Sequence, residues 1–571
     1  MNTVATTGDA AVDLPPTRRR LDRDDWLMRG GICLMIVWLG LTLILPLWWL
    51  LSKSFQDRDG NFVGLANYAE YFSTPALFAS VWNSLFIAVL STAIVLPLAF
   101  TYAYALQRSC MRWKGLFQGL ALIPILAPSL LPAISLIYLF GNQGFLKEWM
   151  FGVEIYGPVG IVISQVFYCF PHALMILLAA LSMADSRLYE AADALGASKM
   201  RMFFTVTLPG AKYGVISAGF VVFTLVMTDF GIAKVIGGRF NVLATDIFKQ
   251  VIGQQNFEMG AVVGFVLLIP AVIAFFADRI IQGRQVALLS ARAVPLIPKP
   301  DSRRDNGLFV FCAVVGGLIF VLLAMAVWAS FVTRWPYNLA LTLKNYHFGD
   351  FDTNGWSAYF NSVEMAAWTA AIGTVIIFVG AYLLEKTRGF AAGRALAQFM
   401  AMLPMAVPGL VLGLAYIFFF NARGNPFGFI YATMAILVVN SITHFYTVSH
   451  LTASTALKQM DHEFEAVSAS LKVSLLRTMT RVSVPVCLPA VLDISIYLFV
   501  NAMTTVSAVI FLYSTETKLA AVTIINMDES GFTAAAAAMA VAIVATSASV
   551  KIVHLLITRR LERRTQAWRQ R

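Results

Sequence analysis

Twelve runs of mostly apolar residues, each long enough to cross a hydrocarbon layer as a helix, divide this chain from end to end. Spanning a bilayer takes about 20 such residues. The runs centre on about 30–52, 82–107, 116–140, 157–183, 213–237 and 259–282, then 307–332, 362–384, 395–420, 427–454, 487–512 and 532–558. Composition agrees: 59% of the 571 residues are hydrophobic and 13% are charged, and the mean hydropathy is +0.73. Soluble domains carry about 25% charged residues, so too little polar surface exists here to clothe them. The pattern predicts an all-α polytopic membrane protein. The first run exceeds a signal-peptide core and is followed by no small-residue cleavage site, so it is expected to stay in the membrane.

Charge sets the expected orientation. Of the 42 Lys and Arg residues, 32 fall in the N-terminal tail, the loops near 110, 200, 290, 390 and 475, and the C-terminus. The positive-inside rule assigns those segments, and both termini, to the cytoplasm. The net charge of +11 therefore faces a membrane surface and its lipid, and no nucleic-acid partner is expected. The five cysteines are scattered, without CxxC or metal-ligand spacing, and the six histidines share no i, i+4 pair, so no metal site is expected.

The two halves repeat each other. Asn67-Tyr68 recurs as Asn345-Tyr346 and Asn83-Ser84 as Asn361-Ser362, while Pro124 and Pro128 recur as Pro404 and Pro408. Six spans per half puts both copies in one orientation, about a pseudo-twofold axis along the membrane normal. The expected divisions are a tail at 1–28, a first half at 29–282, a basic Pro-containing linker at 283–306, a second half at 307–558, and a basic tail at 559–571.

The most informative stretch lies between the fourth and fifth runs, from Asp185 to Pro209. Asp185 or Ser186 can cap a helix through Glu190, Ala191 and Ala192; Gly196 can take the left-handed conformation that ends it; and Ser198 can cap a second helix. Pro209 predicts an extended exit at Leu208. At these residues the chain resembles the permease subunits of bacterial ATP-binding cassette (ABC) importers. Their signature is Glu-Ala-Ala, three residues, Gly, nine residues, then Ile-x-Leu-Pro, matched here by Glu190, Ala191, Ala192, Gly196, Leu208 and Pro209, with Val206 in the Ile position.

The resemblance implies two fused permease halves with type-1 cores at about 80–282 and 358–556. The motif becomes a coupling helix that docks in a groove of an ATPase subunit. Two copies of that ATPase, and a periplasmic solute-binding protein meeting loops such as 53–81, 333–361 and 513–530, are the implied partners. No GxxxxGK[ST] occurs, so this chain binds no cofactor of its own and ATP is hydrolysed by the separate subunit. The second copy of the motif drifts. Counting back from Pro485, Lys472 stands where Gly belongs and Ala466 where Glu belongs, with Glu465 one residue early. A left-handed non-glycine residue costs on the order of 1 kcal/mol, so this corner is expected to be strained or built differently.

Fused halves also resemble ferric iron and 2-aminoethylphosphonate importers, both of which share a stretch like Thr228-Asp229-Phe230-Gly231. Length, the drifted motif and the Ala534–Ala538 run look closest to the 2-aminoethylphosphonate permeases. Ferric iron and polyamine permeases are the alternatives within the class, and an ion-coupled secondary transporter the alternative outside it. Enzyme readings lack any site motif. Intramembrane charge marks Asp229 as a candidate for the substrate pathway, together with Lys234, Glu364 and Asp493. Pro128 and Pro408, which break the third and ninth runs, are further candidates, with simple kinks as the alternative.

Overall fold

The computed structural model describes residues 22–565, except 183–184, 288–293, 295, 388 and 462. Most of the N-terminal tail, part of the linker and the end of the C-terminal tail lie outside the described residues. Eight helices are long and apolar enough to span a membrane without a break: Arg23–Ser54, Pro75–Arg108, Pro158–Ser182, Lys199–Thr228, Phe257–Ile281, Ser302–Phe331, Trp356–Glu385 and Thr533–Leu561. Three more spans are bent pairs, Lys114–Leu126 with Leu130–Phe140, Ala391–Ala406 with Gly409–Phe420, and Leu475–Val486 with Leu488–Thr504. The remaining run is also in two pieces, Met434–His444 and Tyr446–Lys458. Numbered in chain order, these are the twelve spans of the sequence. A short antiparallel hairpin, Val332–Arg334 with Asn338–Leu341, forms the one sheet among the described residues.

The prolines of the third and ninth spans do more than kink a helix. Each span bends by 103° or 113°. Ala127 and Val407, the residues before Pro128 and Pro408, are extended, as the steric clash with a following proline ring dictates. A 3-10 turn precedes each bend and closes on the same bond: Ala127 N–H donates to Pro124 O and Val407 N–H to Pro404 O, at 3.1 and 3.2 Å. The bend packs against the segment that follows the fifth or eleventh span, and glycine permits the approach from opposite sides. A Cβ on Gly231 would lie 2.7 Å from Ser129 Oγ, whereas in the second half one on Gly409 would lie 2.7 Å from Ser507 Oγ.

The repeated Asn-Tyr and Asn-Ser pairs fasten equivalent joints. Asn67 Nδ2 donates to the carbonyls of Ser54 and Gln56, and Tyr68 bonds the Ser54 hydroxyl. Asn345 Nδ2 likewise donates to Ser330 and Val332, with Tyr346 on the Ser330 hydroxyl. Ser84 and Ser362 accept the N–H groups of Leu243 and Ala520, both at 2.8 Å. Asn83 and Asn361 hold the chain just upstream of those points.

The opening span of each half packs on the other half as well as on its own, where Lys53 of the first span ion-pairs with Glu258 of the sixth at 3.1 Å. The first span crosses the eighth so closely that a Cβ on Gly31 would lie 2.5 Å from Leu383 Cδ1, and one on Gly380 would lie 3.1 Å from Met35 Sδ. The seventh span returns the contact, with Gly316 against Leu120 and Phe117, and Phe309 tilted against Trp113 and edge-on to Phe117. Between the halves the sixth span meets the ninth through Phe257 and Phe418, and Phe248 stacks on Phe511.

Candidate functional site

The stretch singled out between the fourth and fifth spans forms a helix, a corner and a second helix at one end of the bundle. The first helix is Ser186–Ala194, capped by Asp185, whose side chain accepts from Arg187 N–H at 3.1 Å. That carboxyl also takes a side-chain bond from Arg187, which holds its pKa below the usual carboxylate range. Gly196 turns the corner at φ +69°. Gly196 N–H donates to Asp193 O and Ala197 N–H to Ala192 O, at 2.9 and 3.0 Å, so carbonyls orphaned at the helix end are satisfied. Ser198 caps the second helix by accepting from Arg201 N–H.

The expected extended exit at Leu208 does not occur. Leu208 is helical (φ −67°, ψ −44°), and Lys199 to Thr228 runs on as one span. A π-helical turn over Phe203–Thr207 makes this possible, since Leu208 N–H reaches back to Phe203 O. That widened turn lets the chain pass Pro209, which has no N–H to give.

The second copy builds the same shape from drifted letters, at a constant offset of 276. The helix Glu463–Ser470 starts after Asp461, whose side chain accepts from Glu463 N–H at 3.0 Å. The corner is Lys472 at φ +53°, closed by Val473 N–H donating to Ser468 O at 3.0 Å. A π-helical turn over Met479–Ser483 again precedes the proline, here Pro485. The corner is thus strained rather than rebuilt. Lys472→Gly is expected to stabilise this half by up to about 1 kcal/mol, the difference between glycine and other residues in the left-handed region; a raised unfolding temperature with unchanged uptake would show it.

Both helices face outward. Glu190, Ala191, Gly196, Ala466 and Lys472 are exposed, and apolar side chains stand open at matched positions: Leu188 with Phe464, Leu195 with Leu471, Met200 with Leu476. Open apolar side chains repeated at one spacing in two places mark a surface made to be covered. Glu465 does not belong to that surface. It turns inward and ion-pairs with Lys386, whose side chain is 3% exposed. The equivalent pair in the first half is Tyr189 and Arg108: the guanidinium lies 5.3 Å from the ring centroid, Arg108 Nη2 donates to Leu181 O at 2.7 Å, and Tyr189 donates to the Thr207 hydroxyl. A cation at the end of the second or eighth span therefore holds each of these outward helices from below, once by a ring face and once by a carboxylate.

Sequence reasoning missed these cations, counting Arg108 and Lys386 only as loop charge. It also missed what anchors the second short helices. Asp24 in the first span accepts from Leu475 N–H at 2.8 Å, capping the second half's short helix where Ser474 does not. Asp301, at the start of the seventh span, ion-pairs with Lys199 of the first half. The linker joins in as Ser186 N–H donates to Val294 O at 2.9 Å.

The intramembrane candidates take other places. Asp229 follows the last residue of the fifth span, which stops at Thr228 rather than continuing to 237. Its carboxylate accepts from Ile232 N–H at 3.0 Å and from Gln165 Nε2 at 3.1 Å, so it caps the short helix Gly231–Ile236 within its own half. Lys234 crosses to the second half and ion-pairs with Glu529. Asp493 lies 3.2 Å from His554, and Glu364 is exposed within the eighth span.

Residues 96–286 and 376–563 each match the family described as binding-protein-dependent transport system inner membrane component. The chain belongs to this family, with two copies of its domain in one polypeptide, and is a multi-pass inner-membrane permease of the ABC importer type rather than an enzyme. It is similar to the ferric transport system permease protein FbpB of Actinobacillus pleuropneumoniae, 28% identical over 79% of this chain and 66% of that protein. The putative ferric transport system permease protein FbpB 1 of Haemophilus influenzae is 29% identical over 77% of this chain and 70% of its own length. The spermidine/putrescine transport system permease protein PotB of Escherichia coli is 26% identical over 42% of this chain and 91% of that protein. Among solved structures, a chain of the bacterial alginate ABC transporter in complex with an alginate pentasaccharide-bound periplasmic protein matches with a TM-score of 0.40 and 15% identity, over 46% of this chain and 96% of that one.

Proposed function

We propose that this chain is the whole transmembrane pathway of an ATP-driven importer for 2-aminoethylphosphonate. The observation that carries the ATP-driven part is the pair of outward-facing corners, each stiffened by a helix end and anchored to a span of the other half. One ATPase copy docks on each, with the termini and coupling loops in the cytoplasm. ATP-driven closure of the ATPase pair draws the corners together and exchanges an inward-facing for an outward-facing pathway. A periplasmic binding protein delivers solute at the opposite end, where loops 53–81, 333–361 and 513–530 lie. The bends at Pro128 and Pro408, and Asp229 behind the first of them, shape the path between.

The choice of solute rests on the drifted second motif and the Ala534–Ala538 run; the relatives named for ferric and spermidine/putrescine transport define the competing solutes. Growth on 2-aminoethylphosphonate as sole phosphorus source is expected to require this gene and the partner ATPase gene alike. Growth that survives loss of the ATPase would instead indicate ion-coupled transport. Unimpaired growth without this gene, in a strain lacking another importer, would redirect the solute to iron or polyamines, to be read by labelled uptake.

A further inference from the structure

A cleft of about 430 Å³ opens at the coupling-loop end of the seam between the halves, within the roughly 300–1,000 Å³ of small-ligand sites. Arg279, near the end of the sixth span, supplies one wall. Met405 from the bend of the ninth span and Ala490 from the eleventh supply others, and the tenth span contributes Thr452, Thr455 and Gln459 beside the apolar Val448, Leu451 and Ala456. Positions i, i+3 and i+7 lie on one face of a helix, so the three polar residues form a stripe opposite the guanidinium. No carboxylate lines the cleft, and Arg279 has no ion-pair partner among the described residues. The Thr452 hydroxyl donates to Val448 O at 3.0 Å, which fixes its direction and leaves its lone pairs open.

The repeat gives the second, independent observation. At the offset of 276 that relates the two coupling loops, Arg279 corresponds to Leu555, Thr452 to Ile176 and Thr455 to Ala179. An arginine that merely reached from a helix end toward water would be needed as much in one copy as in the other. Polarity has been placed in one copy only, and on facing walls of one cleft.

We propose that Arg279, Thr452, Thr455 and Gln459 form a binding site for a phosphorus oxyanion. A planar guanidinium pairs two of its N–H groups with two oxygens of a phosphonate or phosphate, while the hydroxyls and amide complete the shell; a polycation would meet an unopposed positive charge. The ligand comes either from the solute leaving the pathway, which deepens the phosphonate reading and rests on it, or from the headgroup of an anionic lipid, since basic pockets between helices at this side of a membrane take such groups. In the second case the site stands without the phosphonate reading.

The test uses the permease purified with its ATPase in phosphatidylcholine nanodiscs, with 2-aminoethylphosphonate and inorganic phosphate as soluble probes. Retention of phosphatidylglycerol is read in parallel by native mass spectrometry. Arg279→Gln is expected to weaken one ligand class by about tenfold or more, the loss of one charge-assisted pair, with Arg279→Lys recovering part of it. Loss confined to the soluble probes assigns the site to solute; loss confined to phosphatidylglycerol assigns it to lipid. Lipid or phosphate binding that falls in Arg279→Gln, in a protein whose wild type does not take up 2-aminoethylphosphonate, leaves this site standing while the phosphonate reading fails. The Thr452→Val, Thr455→Val double variant is expected to weaken the same ligand, and serves where Arg279→Gln does not assemble. Unchanged affinity for every probe in the folded variants overturns the proposal.

Discussion

Gly196→Pro is expected to leave the protein inserted in the membrane and to abolish solute-stimulated ATP hydrolysis. Proline fixes φ near −65°, whereas this residue sits at +69°, and its N–H, which proline lacks, donates to Asp193 O. The two effects together cost about 3 kcal/mol or more, all of it within one exposed corner that packs on no core. The helix Ser186–Ala194 would lose its stop and with it the fixed angle to the span that begins at Lys199. Glu190→Ala should act at the same step, because Glu190 is exposed on the same helix and its loss would remove a contact to the proposed ATPase without disturbing the fold. Assembly can be checked by copurification with the ATPase under mild detergent, and coupling by ATPase rate in the presence of loaded binding protein. Normal stimulation in Gly196→Pro would show that a rigid corner is not what carries the motion.

Glu465→Ala should fail for a different reason. Its carboxylate is the ion-pair partner of Lys386, which is 3% exposed. Removing one member of a buried pair typically costs 3–5 kcal/mol, because a charge is left without compensation. Glu465 itself is 30% exposed, so water can enter and the loss should lie near about 3 kcal/mol. Adding Lys386→Met should restore most of that stability, since a buried pair replaced by apolar groups of similar volume is often neutral. Thermal unfolding of the two single variants and the double gives the coupling directly. Additive losses would mean that the ion pair does not hold the helix Glu463–Ser470. The expectation of a docking acid in the second half is thereby changed: the exposed counterpart of Glu190 is Ala466, and the two outward helix faces differ in charge.

Much of the fold was legible in the sequence because hydrophobic length is a direct physical requirement of the membrane. Every apolar run became a span or a broken span. The repeat was legible too, and the structure supplies its reason, since Asn67 and Asn345 each fasten two backbone carbonyls at the end of an opening span. Less was legible where backbone geometry outweighs local preference. Pro209 predicts a break, but a π-helical turn upstream absorbs the missing donor and the helix continues. The prolines at 128 and 408 announce a disturbance without giving its angle, which depends on the close approach at Gly231 and Gly409. In the site, the corner at Lys472 could be placed by counting alone, whereas the inward turn of Glu465 could not. Its partner Lys386 lies far away in sequence, and nothing in a one-dimensional pattern pairs a loop cation with a drifted glutamate.

The exchange of opening spans has a consequence for how the protein is made. Asp24 caps a helix whose first residue lies 451 positions later. At a synthesis rate of about 5–20 residues per second, that partner emerges roughly 20–90 s after Asp24 itself. During that interval the first span is in the membrane with the sixth span soon available but two of its neighbours, the eighth and ninth spans, not yet translated. The first half is therefore expected to complete its packing only once its twin has been made. A chain cut in the linker should yield two fragments that mature only when both are present, each carrying the strap that closes the other.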